Sequence, residues 1–462
     1  MFMPPVLTVL GSRSSRAKRV YRRSTERAVN GDSRESSAKA SAMHVVLVVD
    51  HAFINGGQAK VALDAGLGLR ARGHRVTVFA AVGPADPRLA EAGIRVVCLG
   101  QDDIASTKNK LAFAVQAIWN THAARRLAQE LAGLDPADTV VHVHAFAKAL
   151  SPAIGVSLRA SGLPLLYTMH EFFLVCPNGG FYDYPAKAIC HRTPMSAACI
   201  ATNCDARSYP RKLLRAVRHA ALDHVAGMRR LFPHIVTISA LQEKVIAPHL
   251  PATTVFHRVD NPIAVAPVPP RDGPPGDFLF VGRISDEKGA PVFAEAARRA
   301  GVRPVFVGDG PAAAELAARY PEAVMLGWKD EAAVHALMRQ ARALVFPSVW
   351  YEGQPLTVYE ALACGAPVIV SDACAGREAV EDGETGFWFR SGDADALAAH
   401  LLRLGDDALA IRMSRAAQAR YWAAPLTLDN HLDRIGSVYD QVLRTAGATA
   451  RADARPAVAA LS

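Results

Sequence analysis

The sequence predicts an α/β protein with two Rossmann-like, doubly wound domains that face a central cleft. Buried-strand runs alternate with helical segments from Met43 onward, the alternation restarts after residue 277, and a Pro/Gly-rich linker at 262–277 separates the two series. Short apolar runs between amphipathic segments are typical of parallel strands joined by crossover helices. Ligands of such sheets bind outside the carboxyl ends of the strands, so the functional site is expected in the cleft.

Length and charge restrict the class of protein. A chain of 462 residues exceeds the size at which a single core stops growing, so at least two domains are expected. The net charge of +9 is uneven, because residues 1–42 contain nine Lys or Arg and three Asp or Glu. We expect a disordered basic tail there and no nucleic-acid partner for the mildly basic remainder. This tail lacks the apolar core of a secretory signal, and a start at Met43 is an equally good interpretation.

Membrane spans and a disulfide framework are not expected. No apolar run reaches the roughly 18 residues that a membrane-spanning helix needs. The seven cysteines are few and odd in number. These features indicate a reducing, cytoplasmic environment.

The first domain is expected over residues 43–262. Its strands alternate with an amphipathic helix at 58–71 and a longer helical pattern around 110–132. An irregular, cysteine-containing insertion occupies about 171–210, and a basic helix follows at 211–231. The predicted strands are residues 44–49, 75–79, 94–99, 140–144, 165–170, 235–239 and 255–261.

The second domain is expected over residues 263–425, with Ala-rich helices between its strands. An amphipathic terminal helix follows at 426–446, and residues 447–462 are expected to form a frayed tail. The predicted strands are residues 278–281, 305–307, 324–326, 344–346 and 368–370.

Two strand-to-helix turns carry groups suited to an anion. Gly56 and Gly57 lead directly into a helix, where backbone N–H groups can approach a phosphate. In the equivalent loop of the second half, VGRISDEKG, the guanidinium of Arg283 and the ammonium of Lys288 suit a diphosphate. A tight turn and a solvated surface are the alternative interpretations. Neither loop has the spaced glycines of dinucleotide binders, which disfavours a nicotinamide dehydrogenase.

Two glutamates surround one bend within residues 346–372. Pro355 can occupy the first turn of a helix, and Gly365 suits its C-terminal cap. Glu352 then lies on the loop and Glu360 in the helix. The two carboxylates could act as an acid/base pair, or each could accept hydrogen bonds from ligand hydroxyls.

Several ring side chains lie at or after the ends of predicted strands. His170 could contact a ligand in the cleft or serve a structural role. His144 is a second candidate for the cleft wall, whereas His142 is not expected to be functional. Trp328 could border a nucleotide base or belong to the core.

The insertion contains Cys176, Cys190, Cys199 and Cys204. Four thiolates could close a structural zinc site, but only the last pair approaches the usual ligand spacing. Ordinary buried or free thiols are therefore favoured over zinc. Because the insertion directly follows His170, we expect it to shape the acceptor pocket.

The basic helix after the insertion carries Arg211, Arg215, Arg218 and Arg229 beside a Leu/Val/Ala stripe. Such a helix could bind anionic lipid headgroups, which would place the protein peripherally at the inner face of the plasma membrane. A core helix with a solvated basic face is the alternative, and the sequence slightly favours it.

Together these segments resemble the retaining glycosyltransferases of family 4, the group 1 glycosyltransferases, which have the GT-B fold. The resemblance covers most of residues 43–446 and rests on INGGQAKVALDAGLGLRARGHRVTVF, FVGRISDEKG, VFVGDGP, EGQPLTVYEALACGAPVIVSD, EAVEDGETGFWF and VYDQVL. It implies transfer of a sugar, of hexosyl type, from a nucleotide-diphosphate sugar to a glycan or lipid-linked acceptor. Retention at the anomeric carbon, no obligatory cofactor or metal, and a terminal helix that crosses back onto the first domain are also implied. Cell-surface polysaccharide or glycolipid assembly is the expected setting.

The resemblance also assigns roles to residues. Arg283 and Lys288 would hold the donor diphosphate and stabilise the charge of the leaving group. Glu352 would accept hydrogen bonds from the transferred sugar and Glu360 from the ribose, while His170 would contact the donor sugar or act near the acceptor. The remaining donor-binding positions are Gly56, Gly57, Gly353, Gln354 and Leu356.

The glutamate loop departs from the common family pattern E-G-F-G-L-P at Gln354, Pro355 and Thr357. Pro355 has no N–H, so one backbone donor to the ligand is absent. Two other classes of function stay open: a GT-B sugar-nucleotide epimerase or disaccharide-phosphate synthase, and a non-catalytic sugar-nucleotide-binding protein. The base, the sugar and the acceptor are not identified by the sequence.

Overall fold

The computed structural model describes residues 42–102, 115–271, 273 and 275–453. Its first half contains a seven-stranded, all-parallel sheet and a small antiparallel hairpin within the insertion. The strands of this half are β1 (His44–His51), β2 (Arg75–Val82), β3 (Arg95–Gln101), β4 (Thr139–Val143), β5 (Leu165–Thr168), β6 (Tyr182–Asp183), β7 (Ala188–Ile189), β8 (His234–Thr237) and β9 (Val255–Arg258). The sheet order is β3-β2-β1-β4-β5-β8-β9, and β6 pairs with β7.

Helices connect these strands on both sides of the sheet. They are α1 (Gly57–Ala71), α2 (Pro87–Glu91), α3 (Thr121–Leu131), α4 (Ile154–Ser161), α5 (Ala197–Ala201), α6 (Tyr209–Ala220), α7 (Met228–Leu231) and α8 (Ala240–Ile246). Short 3₁₀ turns cover Phe172–Leu174 and Ala247–His249, and a π-helical turn covers Ala221–Ala226.

The second half contains a six-stranded, all-parallel sheet. Its strands are β10 (Phe278–Val281), β11 (Pro304–Val307), β12 (Val324–Met325), β13 (Ala343–Phe346), β14 (Val368–Ser371) and β15 (Gly386–Phe389), in the order β12-β11-β10-β13-β14-β15. Its helices are α9 (Ala290–Ala300), α10 (Ala313–Arg319), α11 (Glu331–Gln340), α12 (Leu356–Ala363), α13 (Ala394–Arg403), α14 (Asp407–Ala423) and α15 (Leu428–Asp453), with a 3₁₀ turn at Ala375–Ala379.

Both sheets have an apolar core on each face. In β1, Val46 and Val48 join one core, whereas Val45, Leu47 and Val49 join the other, because successive side chains of a strand point to opposite faces. Strands that are buried on both sides are expected to be apolar throughout rather than alternating. This is why the short apolar runs of the sequence correctly predicted a fold of two Rossmann-like domains.

The ends of several elements differ from the predicted ones. The strand β15 was not predicted, although its residues lie in the quoted EAVEDGETGFWF segment. Helix α3 begins at Thr121, where the Asn120 side chain accepts a hydrogen bond from the Ala123 amide. Residues 115–118 are helical as well, and residues 119 and 120 separate them from α3. The first residues of the helical pattern predicted around 110–132 lie outside the described part of the chain.

The predicted basic helix is divided and is oriented differently from the favoured expectation. A π-helical turn and Gly227, at φ 62°, separate α6 from α7. Leu213, Leu214 and Val217 of α6 are exposed, whereas Arg218 turns inward and donates to the Ala147 carbonyl at 2.6 Å. These three apolar side chains of α6 therefore face outward, whereas Ala216 and Leu222 are buried.

The terminal helix α15 packs on the first half of the chain. Leu432, Ile435 and Val438 join one core of the first sheet, and the Tyr439 hydroxyl lies 2.8 Å from His142 Nδ1. The helix continues to Asp453, through residues for which the sequence predicted a frayed tail. Residues 1–41 of the predicted tail, and residues 454–462, lie outside the described part.

None of the described helices is both long enough and apolar enough to cross a membrane.

Candidate active site

A cleft of about 420 Å³ lies between the carboxyl ends of the two sheets. Gly57 and His170 border it from the first half, together with residues 179 and 180 of the insertion. Lys288 and the glutamate loop border it from the second half. The predicted site residues that the structure brings together here are Gly57, His170, Lys288, Glu352, Gly353, Gln354 and Leu356.

Lys288 and Glu352 form an ion pair in this cleft. The same carboxylate oxygen, Glu352 Oε1, also accepts from the Ser348 hydroxyl at 3.0 Å and from the Trp350 indole N–H at 2.6 Å. Burial raises the pKa of Glu352, but the charge of Lys288 and the three hydrogen bonds outweigh it, so the pKa lies below its usual value. Glu352 is therefore ionised and held in one position.

Arg283 lies just outside the cleft lining and forms an ion pair with Glu287, four residues later. Its side chain is about half exposed, at 54%, whereas that of Glu287 is buried. Both cations of the loop after β10 therefore pair with carboxylates. These carboxylates are negatively charged, as the phosphate groups of a diphosphate are. A diphosphate entering this loop would compete with these carboxylates for the two cations.

Glu360 lies one turn into α12 and does not border the cleft. Burial raises its pKa to about 7, with a smaller contribution from Glu331 and an opposing one from Lys60. No ion pair joins its carboxylate to a cation within the described residues. Glu352 borders the cleft and Glu360 does not, which argues against an acid/base pair at one bond.

The glutamate loop lies close to the first domain. A side chain at Gly353 would approach Ile238 and Gln242 at 3.1 Å, so glycine allows the two halves to come together here. The Gln354 side chain is buried and accepts from the Asn261 amide at 2.6 Å. Gln354 thus links the loop, through its side chain, to the residue that directly precedes the interdomain linker.

Gly56 and Gly57 open α1 as predicted. Gly56 is the N-cap residue and is exposed, whereas Gly57 borders the cleft. A Cβ atom added at Gly57 would lie 3.4 Å from a methyl group of Leu356. Gln58, which the sequence did not single out, also borders the cleft and donates to the His144 carbonyl at 2.6 Å. Pro355 is the N-cap of α12 and does not occupy its first turn.

His170 lies two residues beyond β5 and borders the cleft. Its Nε2 shares a 3.1 Å hydrogen bond with Nδ1 of His144, which is fully buried. Burial lowers the pKa of His170 to about 3, with a smaller contribution from His431. His170 is therefore a neutral hydrogen-bonding group near neutral pH.

The insertion reaches across the cleft to the second domain. Lys187 forms an ion pair with Asp286 at 2.7 Å, next to the predicted diphosphate loop. The Tyr182 ring meets the Trp350 ring edge-on, with centroids 6.2 Å apart, and a side chain at Gly180 would contact the same indole. Sequence reasoning missed Trp350 as a cleft residue, and it missed the contacts that Tyr182 and Lys187 make with the second domain. The only signal was the position of Trp350, two residues before Glu352.

Three of the four cysteines in the insertion are buried, and Cys190 is half-buried. The Lys212 amine lies 3.4 Å from Cys199 Sγ and also hydrogen-bonds Cys204. Within the described residues, no three His, Cys, Asp or Glu side chains are grouped in a way that could hold a metal ion. Cys199 and Cys204 therefore contact a buried lysine, and their spacing did not predict this contact.

Trp328 follows β12 and is 76% exposed, so it does not belong to the core.

Two sequence profiles match the two halves of this arrangement. The profile described as "Glycosyl transferase 4-like domain" matches residues 56–243, and the profile described as "Glycosyl transferases group 1" matches residues 275–407. Together they cover well over half of the chain, including Gly57, His170, Lys288 and Glu352. The chain belongs to the group 1 glycosyltransferases. The predicted family is thereby confirmed.

This group 1 glycosyltransferase is similar to curated bacterial proteins over part of their length. It is 31% identical over 152 residues to UDP-Gal:alpha-D-GlcNAc-diphosphoundecaprenol alpha-1,3-galactosyltransferase of Escherichia coli. The matched region covers 30% of this chain and 38% of that protein. It is 28% identical over 187 residues to lipopolysaccharide 1,6-galactosyltransferase of Salmonella typhimurium, which covers 37% and 52%. The chain thus spans about half or less of the relatives that it matches.

Solved structures share the fold of this glycosyltransferase. HepE of Anabaena in complex with UDP and glucose aligns with a TM-score of 0.59 at 16% identity, over 86% of this chain and 100% of that one. Sucrose-phosphate synthase of Thermosynechococcus elongatus aligns with a TM-score of 0.63 at 21% identity, over 87% and 100%. At these identities the similarity concerns the fold alone, and it confirms the predicted GT-B architecture.

Proposed function

We propose that this protein is a retaining hexosyltransferase that transfers a sugar from a nucleotide-diphosphate sugar to a glycan or lipid-linked acceptor. Assembly of a polysaccharide or lipopolysaccharide is the proposed setting. The observation that carries the proposal is the meeting of Lys288 and Glu352 in one interdomain cleft with His170. These are the residue types that a charged leaving group and a hydroxyl-rich sugar require.

The donor diphosphate would bind at the loop after β10. Lys288 and Arg283 would exchange their carboxylate partners, Glu352 and Glu287, for phosphate oxygens. Positive charge already fixed at the leaving group stabilises the transition state more than the ground state, because negative charge grows on the diphosphate as the glycosidic bond breaks. No metal is needed for this step in the proposal.

The transferred sugar would lie against Glu352. The loss of Lys288 to the diphosphate would leave the Glu352 carboxylate with its hydrogen bonds from Ser348 and Trp350. An ionised carboxylate accepts several hydrogen bonds, so it can bind sugar hydroxyls while staying in position. Glu360 would accept from the ribose hydroxyls of the nucleotide.

The low pKa of His170 argues against an inverting reaction in which a histidine is the base, and so favours retention of the anomeric configuration. An inverting enzyme uses a base to remove the proton of the acceptor hydroxyl, and an efficient base has a pKa near the working pH. The pKa of His170, lowered by burial to about 3, is far below that range. We therefore propose that His170 orients the donor sugar by hydrogen bonding and does not remove a proton.

The names of the relatives support the choice of substrates. The Escherichia coli relative is named for UDP-Gal and a diphosphoundecaprenol-linked acceptor, and the Salmonella relative for lipopolysaccharide. Structures with the same fold contain UDP and UDP-glucose. We propose a UDP-hexose as the first donor to test and a polyprenyl-diphosphate-linked or lipopolysaccharide acceptor.

The test has two stages. A thermal-shift screen of UDP-, GDP- and ADP-sugars should show one class that raises the unfolding temperature, since a ligand that binds only the folded state stabilises it. The selected donor, incubated with lipid-linked and lipopolysaccharide acceptors, should then release nucleoside diphosphate and label the acceptor. The anomeric proton coupling of the isolated product should match that of the donor.

Three results would contradict the proposal. Donor binding without turnover on any acceptor would favour a non-catalytic sugar-nucleotide-binding protein. Turnover without an acceptor, to an epimeric sugar nucleotide, would favour the epimerase alternative. An inverted anomeric configuration would contradict retention alone.

A further inference from the structure

We propose that an exposed apolar face on α6 and its neighbours binds an anionic lipid bilayer. This docking face consists of Ile200, Tyr209, Leu213, Leu214, Val217 and Val225. The inference adds to the proposed function by indicating where a lipid-linked acceptor would enter, but lipid binding itself does not require turnover.

Exposed apolar side chains are concentrated in this segment. Of the thirteen large hydrophobic side chains that are exposed in the described residues, six lie between residues 200 and 225. Val217 and Val225 are 55% and 56% exposed. Single exposed apolar residues are normal, whereas a contiguous group marks a surface that binds something apolar.

The helical geometry places these side chains on one side. Leu213, Leu214 and Val217 are spaced by three and four residues, which puts them on the same face of α6. The Tyr209 hydroxyl donates to the Ile200 carbonyl at 3.0 Å and thereby ties α5 to the start of α6. The face therefore extends over two helices and continues into the π-helical turn that carries Val225.

Buried polar contacts on the opposite side of α6 hold this orientation. Lys212 is 1% exposed and contacts the sulfur of Cys199, and Arg215 pairs with the fully buried Asp205 at 3.1 Å. Rotation of the helix to bury the leucines would expose these groups or leave their partners buried without a hydrogen bond, which is costly. The outward direction of the apolar stripe is thus built into the fold.

The charge around the docking face selects an anionic partner. Arg207, Arg211 and Arg230 are exposed, and none of the three pairs with a carboxylate within the described residues. The acidic residues of the segment 197–231, Asp205 and Asp223, are buried and paired with Arg215 and Arg229. The charge that stays unpaired within segment 197–231 of the described chain is therefore positive and lies beside an apolar face, as in helices that lie in the interface of anionic membranes.

The same charge argues against a second copy of this chain as the occupant. A two-fold symmetric contact places the same patch on both subunits, so the free guanidinium groups would face each other. Like charges across an interface oppose association. An anionic bilayer instead neutralises them.

The docking face lies next to the cleft. The inner side of α6 reaches the insertion, where Arg215 donates to the Asn178 side chain. The following residues, Gly179 and Gly180, border the cleft. A bilayer bound to the outer side of α6 would therefore lie close to the acceptor side of the proposed active site.

Flotation with lipid vesicles tests the inference on the full chain. Wild-type protein should bind phosphatidylcholine vesicles that contain about one third phosphatidylglycerol at least tenfold more tightly than pure phosphatidylcholine vesicles. About 0.5 M salt should weaken the binding, because it screens surface charge. The variant Leu213→Ser/Leu214→Ser/Val217→Ser and the variant Arg207→Glu/Arg211→Glu/Arg230→Glu should each lose at least tenfold in affinity.

Matched controls separate the docking face from general surface effects. Leu402→Ser removes an exposed apolar side chain of α13, and Arg390→Glu reverses an exposed charge of the second domain. Both should bind vesicles as the wild type does. Circular dichroism and thermal unfolding should show that all variants are folded.

Several outcomes would overturn the inference. One is that the wild type does not bind anionic vesicles at low salt, and another is that both triple variants bind them as the wild type does. A third is that the wild type is a dimer and the triple serine variant a monomer in size-exclusion chromatography with light scattering. Donor-induced thermal shifts and turnover of a detergent-solubilised acceptor should be unchanged in the triple variants. If the triple variants lose vesicle binding and keep turnover, the result supports the docking face and leaves the proposed function untouched. If the wild type does not bind a donor, the result contradicts the proposed function and leaves the docking face untouched.

Discussion

Lys288 and Glu352 form an ion pair on the second-domain side of the cleft, although the proposed reaction assigns the amine to the diphosphate and the carboxylate to the sugar. Glu352 keeps two further donors, the Ser348 hydroxyl and the Trp350 indole, when Lys288 leaves. Donor binding therefore replaces one partner of Glu352 and leaves its position defined. The free protein holds both groups close to where the proposed reaction needs them.

The variant Lys288→Ala should reduce kcat by about 100-fold or more, because loss of one preorganised donor to developing negative charge costs roughly that much. It should remain folded by circular dichroism. Its thermal stability should fall, since the Glu352 carboxylate stays buried without its counter-ion.

A double variant distinguishes the two effects. Lys288→Ala/Glu352→Gln should recover much of the lost stability, because the unpaired charge is removed, but it should stay inactive. Lys244→Ala, at an exposed lysine of α8, is the control and should retain wild-type turnover. Wild-type kcat in Lys288→Ala would refute the diphosphate assignment.

The pKa of Glu360, raised by burial to about 7, predicts pH-dependent donor binding. Only the ionised carboxylate can accept from both ribose hydroxyls with its two oxygens. The Kd of a UDP-hexose should therefore rise as the pH falls below about 7, by up to about tenfold per pH unit. Titration calorimetry between pH 5.5 and 8.5 measures this, and Glu360→Gln should give weaker binding that does not change with pH.

The same group predicts a change in stability. Its folded pKa of about 7 lies above the ordinary 4.5, so the folded state binds more protons than the unfolded state between these values. The free energy of unfolding from Glu360 should therefore decrease as the pH rises from about 4.5 to 7. In Glu360→Gln, we expect the free energy of unfolding to decrease less over the same pH range. Denaturant unfolding without nucleotide measures this difference. An equal decrease in both proteins would contradict the assignment.

The fold could be predicted from the sequence because the strands are short, wholly apolar and bounded by turn residues. The glutamate loop could be located for the same reason, since β13 and α12 flank it closely in the chain. Contacts made by the insertion could not be predicted. Tyr182 and Lys187 reach Trp350 and Asp286 over about one hundred residues or more of sequence, and the insertion has no periodicity that indicates which side faces the cleft.

The orientation of α6 was also beyond sequence reasoning. A helix with arginines beside a leucine stripe normally buries the leucines, because burial of apolar area is favourable. Here Arg215 and Arg218 find buried acceptors, Asp205 and the Ala147 carbonyl, that lie close by in the fold but not beside them in the chain. Those distant partners decide which face turns inward.

Trp350 is expected to act as a positioning residue for Glu352. The variant Trp350→Phe keeps an aromatic ring for contact with Tyr182 and Lys288 but removes the N–H that donates to Glu352 Oε1. A hydrogen bond to a charged group contributes about 1.5–3 kcal/mol, so kcat should fall by roughly tenfold or more. Trp388→Phe, which removes an indole hydrogen bond to the Val380 carbonyl in the same domain, should leave kcat unchanged.

The ion pair between Lys187 and Asp286 is expected to hold the insertion against the diphosphate loop. Both side chains are substantially exposed, at 64% and 44%, so Lys187→Ala should change the free energy of unfolding by less than about 1 kcal/mol. Lys187→Glu should raise KM for the donor several-fold, because it places like charges between the insertion and the loop that holds Lys288. The charge-swapped variant Lys187→Glu/Asp286→Lys should bring KM back toward the wild-type value with kcat unchanged. If KM is the same in Lys187→Glu as in the wild type at low salt, this contact has no part in closing the donor site.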